Sequence, residues 1–197
     1  MLKGKVAVVT GGTRGIGFET VRQFLLNGAK VALCGSREET VVKAVDKLKT
    51  ENAAFEVEGF FPNLSKEAEV AQMMADVKAK YGKIDILVNN AGISSSTPLL
   101  NYTEDEFDKI SNLNIKSVFV CSKAAVPYLK ETKGVILNTS SMVSMYGQPT
   151  GVMYPASKFA VNGMTLSLSR ELAPLGIRVN AVAPGITETD KRRDRKS

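Results

Sequence analysis

Apolar positions along this chain follow two rhythms in alternation. Short solid runs of aliphatic and β-branched residues mark buried strands. Between them, apolar residues return every three or four positions, as on the inward face of a helix. Val6-Ala7-Val8-Val9-Thr10 is the first run, and Ile16, Thr20, Val21, Phe24 and Leu25 share one side of the helix after it. Asn27-Gly28 ends that helix, since both residues suit a helix C-terminus. Residues 30–34 form the second strand. Ser36-Arg37-Glu38-Glu39 has the form of a capping box, and Val42, Val45 and Leu48 follow as the inward face of a second helix.

Residues 55–60 alternate like a half-exposed third strand, and a helix over 65–81 is closed by Gly82. Residues 84–88 are the fourth strand. Thr103-Glu104-Asp105-Glu106 is a second capping box, opening a long helix to about Lys130. The fifth strand covers 134–138, a helix with Tyr154 and Lys158 runs to Ala173, and the sixth strand covers 177–182. Six strands alternating with helices predict an α/β fold, a doubly wound parallel sheet of the Rossmann type with right-handed crossovers. One domain over residues 1–190 and a basic tail over 191–197 are expected.

Composition narrows this picture by exclusion. At 197 residues and 44% hydrophobic content the chain can bury one sizeable core. The net charge of +6 lies mostly in Lys191-Arg192-Arg193-Asp194-Arg195-Lys196, so it does not argue for nucleic acid as a partner. No apolar run approaches the ~20 residues of a membrane span. Histidine is absent, which removes the commonest metal ligand and the commonest catalytic base. Cys34 and Cys121 sit in apolar surroundings outside any metal or redox motif; they read as buried free thiols, and a cytoplasmic setting is expected. No metal site is expected.

Chemistry enters at two places. Strand one runs into Thr10-Gly11-Gly12-Thr13-Arg14-Gly15-Ile16-Gly17, at the entrance of the first helix. Glycines there let a phosphate approach backbone N–H groups, and the helix points its positive end at it. The alternative is a tight turn with no ligand, but a glycine cluster at this crossover sits where a dinucleotide site requires it. Strand two ends in Cys34-Gly35-Ser36-Arg37 with no carboxylate at its immediate end. Arg37, with Arg14 within reach, suits the 2′-phosphate of NADP, so NADP(H) is favoured over NAD(H). Against this, Arg37 can point to water while Glu38 or Glu39 turns to the ribose. The second place is Tyr154-Pro155-Ala156-Ser157-Lys158. Residues four apart share a helical face, and an ammonium there lowers a phenol's pKa from about 10, making it a proton donor and acceptor near neutrality. An ordinary solvated Tyr/Lys pair is the competing reading of that motif alone.

Taken in order, the glycine turn, Asn89-Asn90-Ala91-Gly92, Asn114, Ser140-Ser141, Tyr154 with Lys158, and Pro184-Gly185 resemble the short-chain dehydrogenase/reductase family. The resemblance covers residues 5 to about 190 and extends to its β-ketoacyl-acyl-carrier-protein reductases and bacterial hydroxysteroid dehydrogenases. It implies an oxidoreductase that moves a hydride between NADP(H) and a ketone or secondary alcohol, with a 3-oxoacyl or steroid-like substrate. On this resemblance Tyr154 is the acid/base, Lys158 tunes it and holds the nicotinamide ribose, and Asn114 holds a water in the proton relay. Ser141, thirteen residues before the tyrosine, corresponds to the serine that bonds the substrate oxygen. Gly11, Thr13, Arg14, Gly15, Ile16, Gly17, Ser36 and Arg37 would hold the phosphates and adenosine ribose. Asn63, Leu64, Asn89, Ala91 and Gly92 would border the adenosine end. Pro184, Gly185 and Thr187 or Thr189 would approach the nicotinamide.

Two departures qualify the resemblance. Where the family usually has an aspartate facing the adenine amino group, this chain has Phe61-Pro62-Asn63-Leu64, and the amide oxygen of Asn63 is expected to accept instead. Family members also usually continue past this point with a lid and a seventh strand, so six strands are expected here, without that strand and lid. A homo-oligomer is implied, weakened if that surface is absent. A second hypothesis follows: a shortened member of the lineage that binds cofactor or a partner with little catalysis. The loop from Met142 to Met153, with Val143, Met145, Tyr146 and Val152, either borders an apolar substrate pocket or packs the core.

Overall fold

Val6–Thr10 (β1) is buried along its whole length, because both faces of a central parallel strand are covered by helices. The computed structural model describes residues 1–187. Lys30–Cys34 (β2), Val57–Phe60 (β3), Ile86–Asn89 (β4), Val135–Thr139 (β5) and Arg178–Val182 (β6) complete a six-stranded, all-parallel sheet in the order β3-β2-β1-β4-β5-β6. The order reverses between β1 and β4. In open α/β sheets that reversal leaves a crevice beyond the strands' carboxyl ends, where ligands bind.

Alternate residues of the strands face two cores. Val9, Val31, Leu33 and Val57 pack beneath Gly15–Leu26 (α1) and Glu38–Glu51 (α2). Val6, Val8, Leu87 and Ile136 pack beneath Glu67–Tyr81 (α3) and Ser117–Thr132 (α5). Between α3 and α5 lies Glu104–Ile110 (α4), and Val143–Tyr146 (α6) and Met153–Leu172 (α7) follow β5. Gly82 closes α3 in the left-handed conformation (φ 83°), as expected.

Several expectations shift. In α2 the buried face is Val41, Ala44 and Leu48, whereas Val42 is half exposed; the helix is rotated by one position from the reading of Val42 and Val45. No side chain caps α2, so the first capping box does not form: Ser36 lies on the cleft at the end of β2 instead. The long helix after Thr103 is not continuous. It passes through a π-helical segment, Ser111–Lys116, between α4 and α5. Cys34 and Cys121 are buried and free, and burial pushes both thiols up, Cys121 to about 12. Among the described residues no helix is long and apolar enough to cross a membrane, and no cluster of acidic, cysteine or histidine side chains could hold a metal ion. The expected tail at 191–197, the last residues of the expected domain, and Thr189 lie outside the described residues.

Candidate active site

A cleft of about 840 Å³ opens at the crevice between β1 and β4. Its near wall is the glycine turn. Gly11 and Gly15 have φ of 66° and 56°, a region that side-chain-bearing residues avoid. A Cβ on Gly17 would lie 2.1 Å from the Gly11 carbonyl oxygen, and one on Gly11 would lie 2.9 Å from the Ala91 Cα. These glycines let the turn fold against β4, and the turn and the start of α1 line the cleft. A dinucleotide's pyrophosphate fits that cradle by its chemistry: anionic oxygens against backbone donors and the helix's positive end.

Gly11, Thr13, Arg14, Gly15, Ile16, Gly17, Ser36, Asn63, Leu64, Ala91, Gly92, Pro184, Gly185 and Thr187 all line this cleft, with Ser141, Tyr154 and Lys158. Three expected residues do not. Asn89 is buried below the floor, donating to Ser122 Oγ (3.1 Å) and Asn138 Oδ1 (2.9 Å), because its position on β4 points it into the helix layer. Arg37 is exposed at the start of α2, outside the cleft wall. Asn114 lies behind Gly92 rather than on the wall.

Asn63 lines the cleft in a different capacity from the one expected. Its Oδ1 accepts from the Ser65 N–H (3.1 Å) and from Ser65 Oγ (2.7 Å), forming a local turn. The oxygen assigned to the adenine amino group is therefore already occupied. Asn90, which lines the cleft where Asn89 was expected, bonds the glycine turn through Nδ2 to the Thr10 and Gly11 carbonyls (3.1 and 3.2 Å). A paired-asparagine turn carries no signal for which amide faces the cleft until the strand register is known.

At the other end of the cleft, α7 begins with Tyr154 and places Lys158 one turn later. Lys158 Nζ donates to the Thr139 carbonyl (2.7 Å) and sits 6.0 Å from the Tyr154 ring centre. Burial lowers its pKa from 10.5 to about 8, since a charged ammonium is disfavoured where water is scarce. Of the two serines after β5, Ser140 is engaged by Ser144 Oγ (3.1 Å) and the Lys158 carbonyl (3.3 Å). Ser141 Oγ only accepts from the Val143 N–H (3.4 Å), so its proton is free for a ligand oxygen.

The π-helical segment sets Asn114. Its Nδ2 donates to the Ile93 carbonyl (2.9 Å) and to Ser157 Oγ (3.0 Å), and its Oδ1 accepts from the Ile93 N–H (2.9 Å). Inserted turns of this kind re-aim side chains and often mark functional sites. A Cβ placed on Gly92 would lie 3.2 Å from Asn114 Oδ1 and 3.7 Å from Lys158 Nζ. Glycine therefore leaves a small gap between a spare oxygen lone pair and the ammonium.

Residues 5–197 match the family described as short chain dehydrogenase, and the chain belongs to that family. It is an oxidoreductase of the dehydrogenase/reductase type, using a nicotinamide dinucleotide. Over 191 residues it is 60% identical to a 3alpha-hydroxysteroid dehydrogenase of Mediterraneibacter gnavus, a match that covers 96% of this chain and 76% of that protein. It is 40% identical to a 3-oxoacyl-[acyl-carrier-protein] reductase of Thermotoga maritima, with 95% and 76% covered. A solved NAD+-bound xylitol dehydrogenase superposes with a TM-score of 0.92 at 30% identity, covering 99% of this chain and 75% of that one.

Proposed function

We propose that this chain reduces the ketone of a bulky, apolar, steroid-like substrate with NADPH, or oxidises the corresponding secondary alcohol in reverse. The observation that carries the reading is the convergence of Ser141, Tyr154 and Lys158 on one end of a cleft whose other end is a phosphate cradle. The relative at 60% identity, a hydroxysteroid dehydrogenase by name, supports the substrate class.

The cofactor supplies the hydride; the chain's own residues handle the oxygen and the proton. Tyr154 Oη donates its proton to the carbonyl oxygen as negative charge develops there. Ser141 Oγ donates a hydrogen bond to the same oxygen and so stabilises that charge. The Lys158 ammonium, 6.0 Å from the Tyr154 ring centre, offsets the negative charge left on Tyr154 as its proton leaves. Reprotonation needs a path from solvent. The gap at Gly92 suits a water molecule that touches both Asn114 Oδ1 and Lys158 Nζ. Asn114 thus acts through position: it holds Ile93 and Ser157 and offers one lone pair.

Preference for NADPH rests on Arg14 more than on Arg37, because Arg14 lines the cleft, as Ser36 does, and Arg37 does not. A guanidinium there pairs with a phosphate in fork geometry. The name of the solved NAD+-bound relative keeps NADH as the comparison arm. Binding of NADPH and NADH to the wild type and to Arg14→Ala, each followed by fluorescence titration, tests the assignment. Arg14→Ala should weaken NADPH about tenfold to a hundredfold, as expected for a charged hydrogen bond of roughly 1.5–3 kcal/mol, and leave NADH nearly unchanged. Equal loss for both would overturn the 2′-phosphate role. A homo-oligomer suits the same reading, since Phe119 on α5 and Phe159 and Leu166 on α7 are at least half exposed or close to it.

A further inference from the structure

The segment from Ile93 to Ser95 has no regular secondary structure and forms a thin partition. On one side lies the main cleft, which Ile93 and Ser94 line. On the other lies a second cavity of about 450 Å³, bordered by Ile93, Ser94, Ser95, Glu106 and Lys109. A wall with open space on both faces is not fixed by close packing, so its position depends on hydrogen bonds.

Those bonds come from three directions. Asn114 clamps both polar groups of the Ile93 backbone. Glu106 Oε1, on α4, accepts from Ser95 Oγ (2.5 Å) and Thr97 Oγ1 (2.9 Å). Gln148 approaches from the loop between α6 and α7: its Nε2 donates to the carbonyls of Ser95 (2.7 Å), Thr150 (2.5 Å) and Gly151 (3.0 Å). Two N–H protons meet three oxygens, so one proton is shared. The opposite amide orientation would set an oxygen against three oxygens, which fixes this one. Gly151 supplies the close approach. Its φ is 81°, and a Cβ there would lie 2.3 Å from the Ser95 oxygen.

We propose that Gln148 is a positioning residue that ties the Ser95 wall to the Ser141–Tyr154 loop, and so sets which ketones fit against Tyr154. It touches no reacting atom. It makes the two loops flanking the reaction end move as one, so a bulky substrate meets a fixed wall. Without it, Ser95 keeps only its side-chain bond to Glu106, which borders the second cavity, so the wall can shift that way and the body of a large substrate loses its support. A small ketone, held only by Ser141 and Tyr154, is affected less. This selectivity rests on the ketone-reductase reading; the strap itself does not.

The test uses the full chain and two variants, Gln148→Ala and Gln148→Lys. The lysine ammonium restores donors facing the three carbonyls. Two quantities are measured: hydrogen exchange of the backbone amides over 93–97, and KM with kcat for a 3-ketosteroid and for a small cyclic ketone. In Gln148→Ala, exchange over 93–97 should accelerate while that of β1 and β4 stays fixed. The KM ratio of steroid to small ketone should rise about tenfold, the scale of one or two lost hydrogen bonds. Gln148→Lys should return both towards wild type. Unchanged exchange, or faster exchange with an unchanged KM ratio, would overturn the proposal. A wild type that reduces neither ketone would instead sink the reaction, and exchange, read without substrate, would still decide the strap.

Discussion

Lys158 keeps its ammonium in the wall of the cleft, where burial brings its pKa down to about 8. The sign of the consequence follows from proton linkage. Between pH 8 and about 10.5 the unfolded chain holds a proton on this lysine that the folded chain lacks, so stability rises with pH across that window. At neutral pH the full cost of burying the charge is present, about 3 kcal/mol at most by pKa arithmetic and reduced by the bond to the Thr139 carbonyl. Lys158→Met is therefore expected to abolish ketone reduction yet raise the unfolding midpoint at pH 7, with the gain shrinking towards pH 10. Thermal melts across that range check it; a destabilised variant at pH 7 would show that the Thr139 bond outweighs the desolvation. The spacing of Tyr154 and Lys158 suggested a proton-transfer pair in the sequence, but only the motifs around it set that reading apart from an ordinary solvated pair. Depth was not legible: whether Asn89 or Asn90 faces the cleft depends on strand register, and Lys158's partner is a backbone carbonyl.

Between Thr103 and Thr132, chain and pattern part company in an instructive way. The periodicity there describes one helix, but the backbone inserts a π-helical segment at Ser111–Lys116, and that segment carries Asn114. Hydrophobic spacing over six residues cannot tell i→i+5 bonding from i→i+4 bonding. The capping box at the start is half formed. Thr103 Oγ1 accepts from the Glu106 N–H (3.2 Å), but the Glu106 carboxylate turns away to Ser95 and Thr97. A box is read from sequence as two local bonds, whereas here one of its members serves a distant loop. Thr103→Ala should cost about 1 kcal/mol, the usual worth of an N-cap, and leave substrate selectivity intact. Denaturant unfolding beside the KM ratio of large to small ketone checks this. A changed ratio would mean that the cap, not only Glu106, steers the wall.

At the scale of the molecule, alternation of strand and helix was enough to foretell the parallel sheet, and the sheet order turns that pattern into a site. Reversal between β1 and β4 brings the turn after Thr10 beside Asn90-Ala91-Gly92, although some 80 residues separate them in Asn90's bond to the Gly11 carbonyl. From the other side, β5 and α7 deliver Ser141, Tyr154 and Lys158 to the far end of the same cleft. Nothing in the spacing of these motifs states that they converge; the right-handed crossovers and the strand order do. The central claim is that Tyr154 passes the proton to the ketone. The most direct measurement is single-turnover oxidation of bound NADPH by a 3-ketosteroid in wild type and in Tyr154→Phe, with NADPH affinity measured in parallel. The expected result is a rate reduced by at least a hundredfold, within the 10²–10⁴ range of general acid catalysis, at unchanged cofactor affinity. A Tyr154→Phe protein that turns over at the wild-type rate would contradict it.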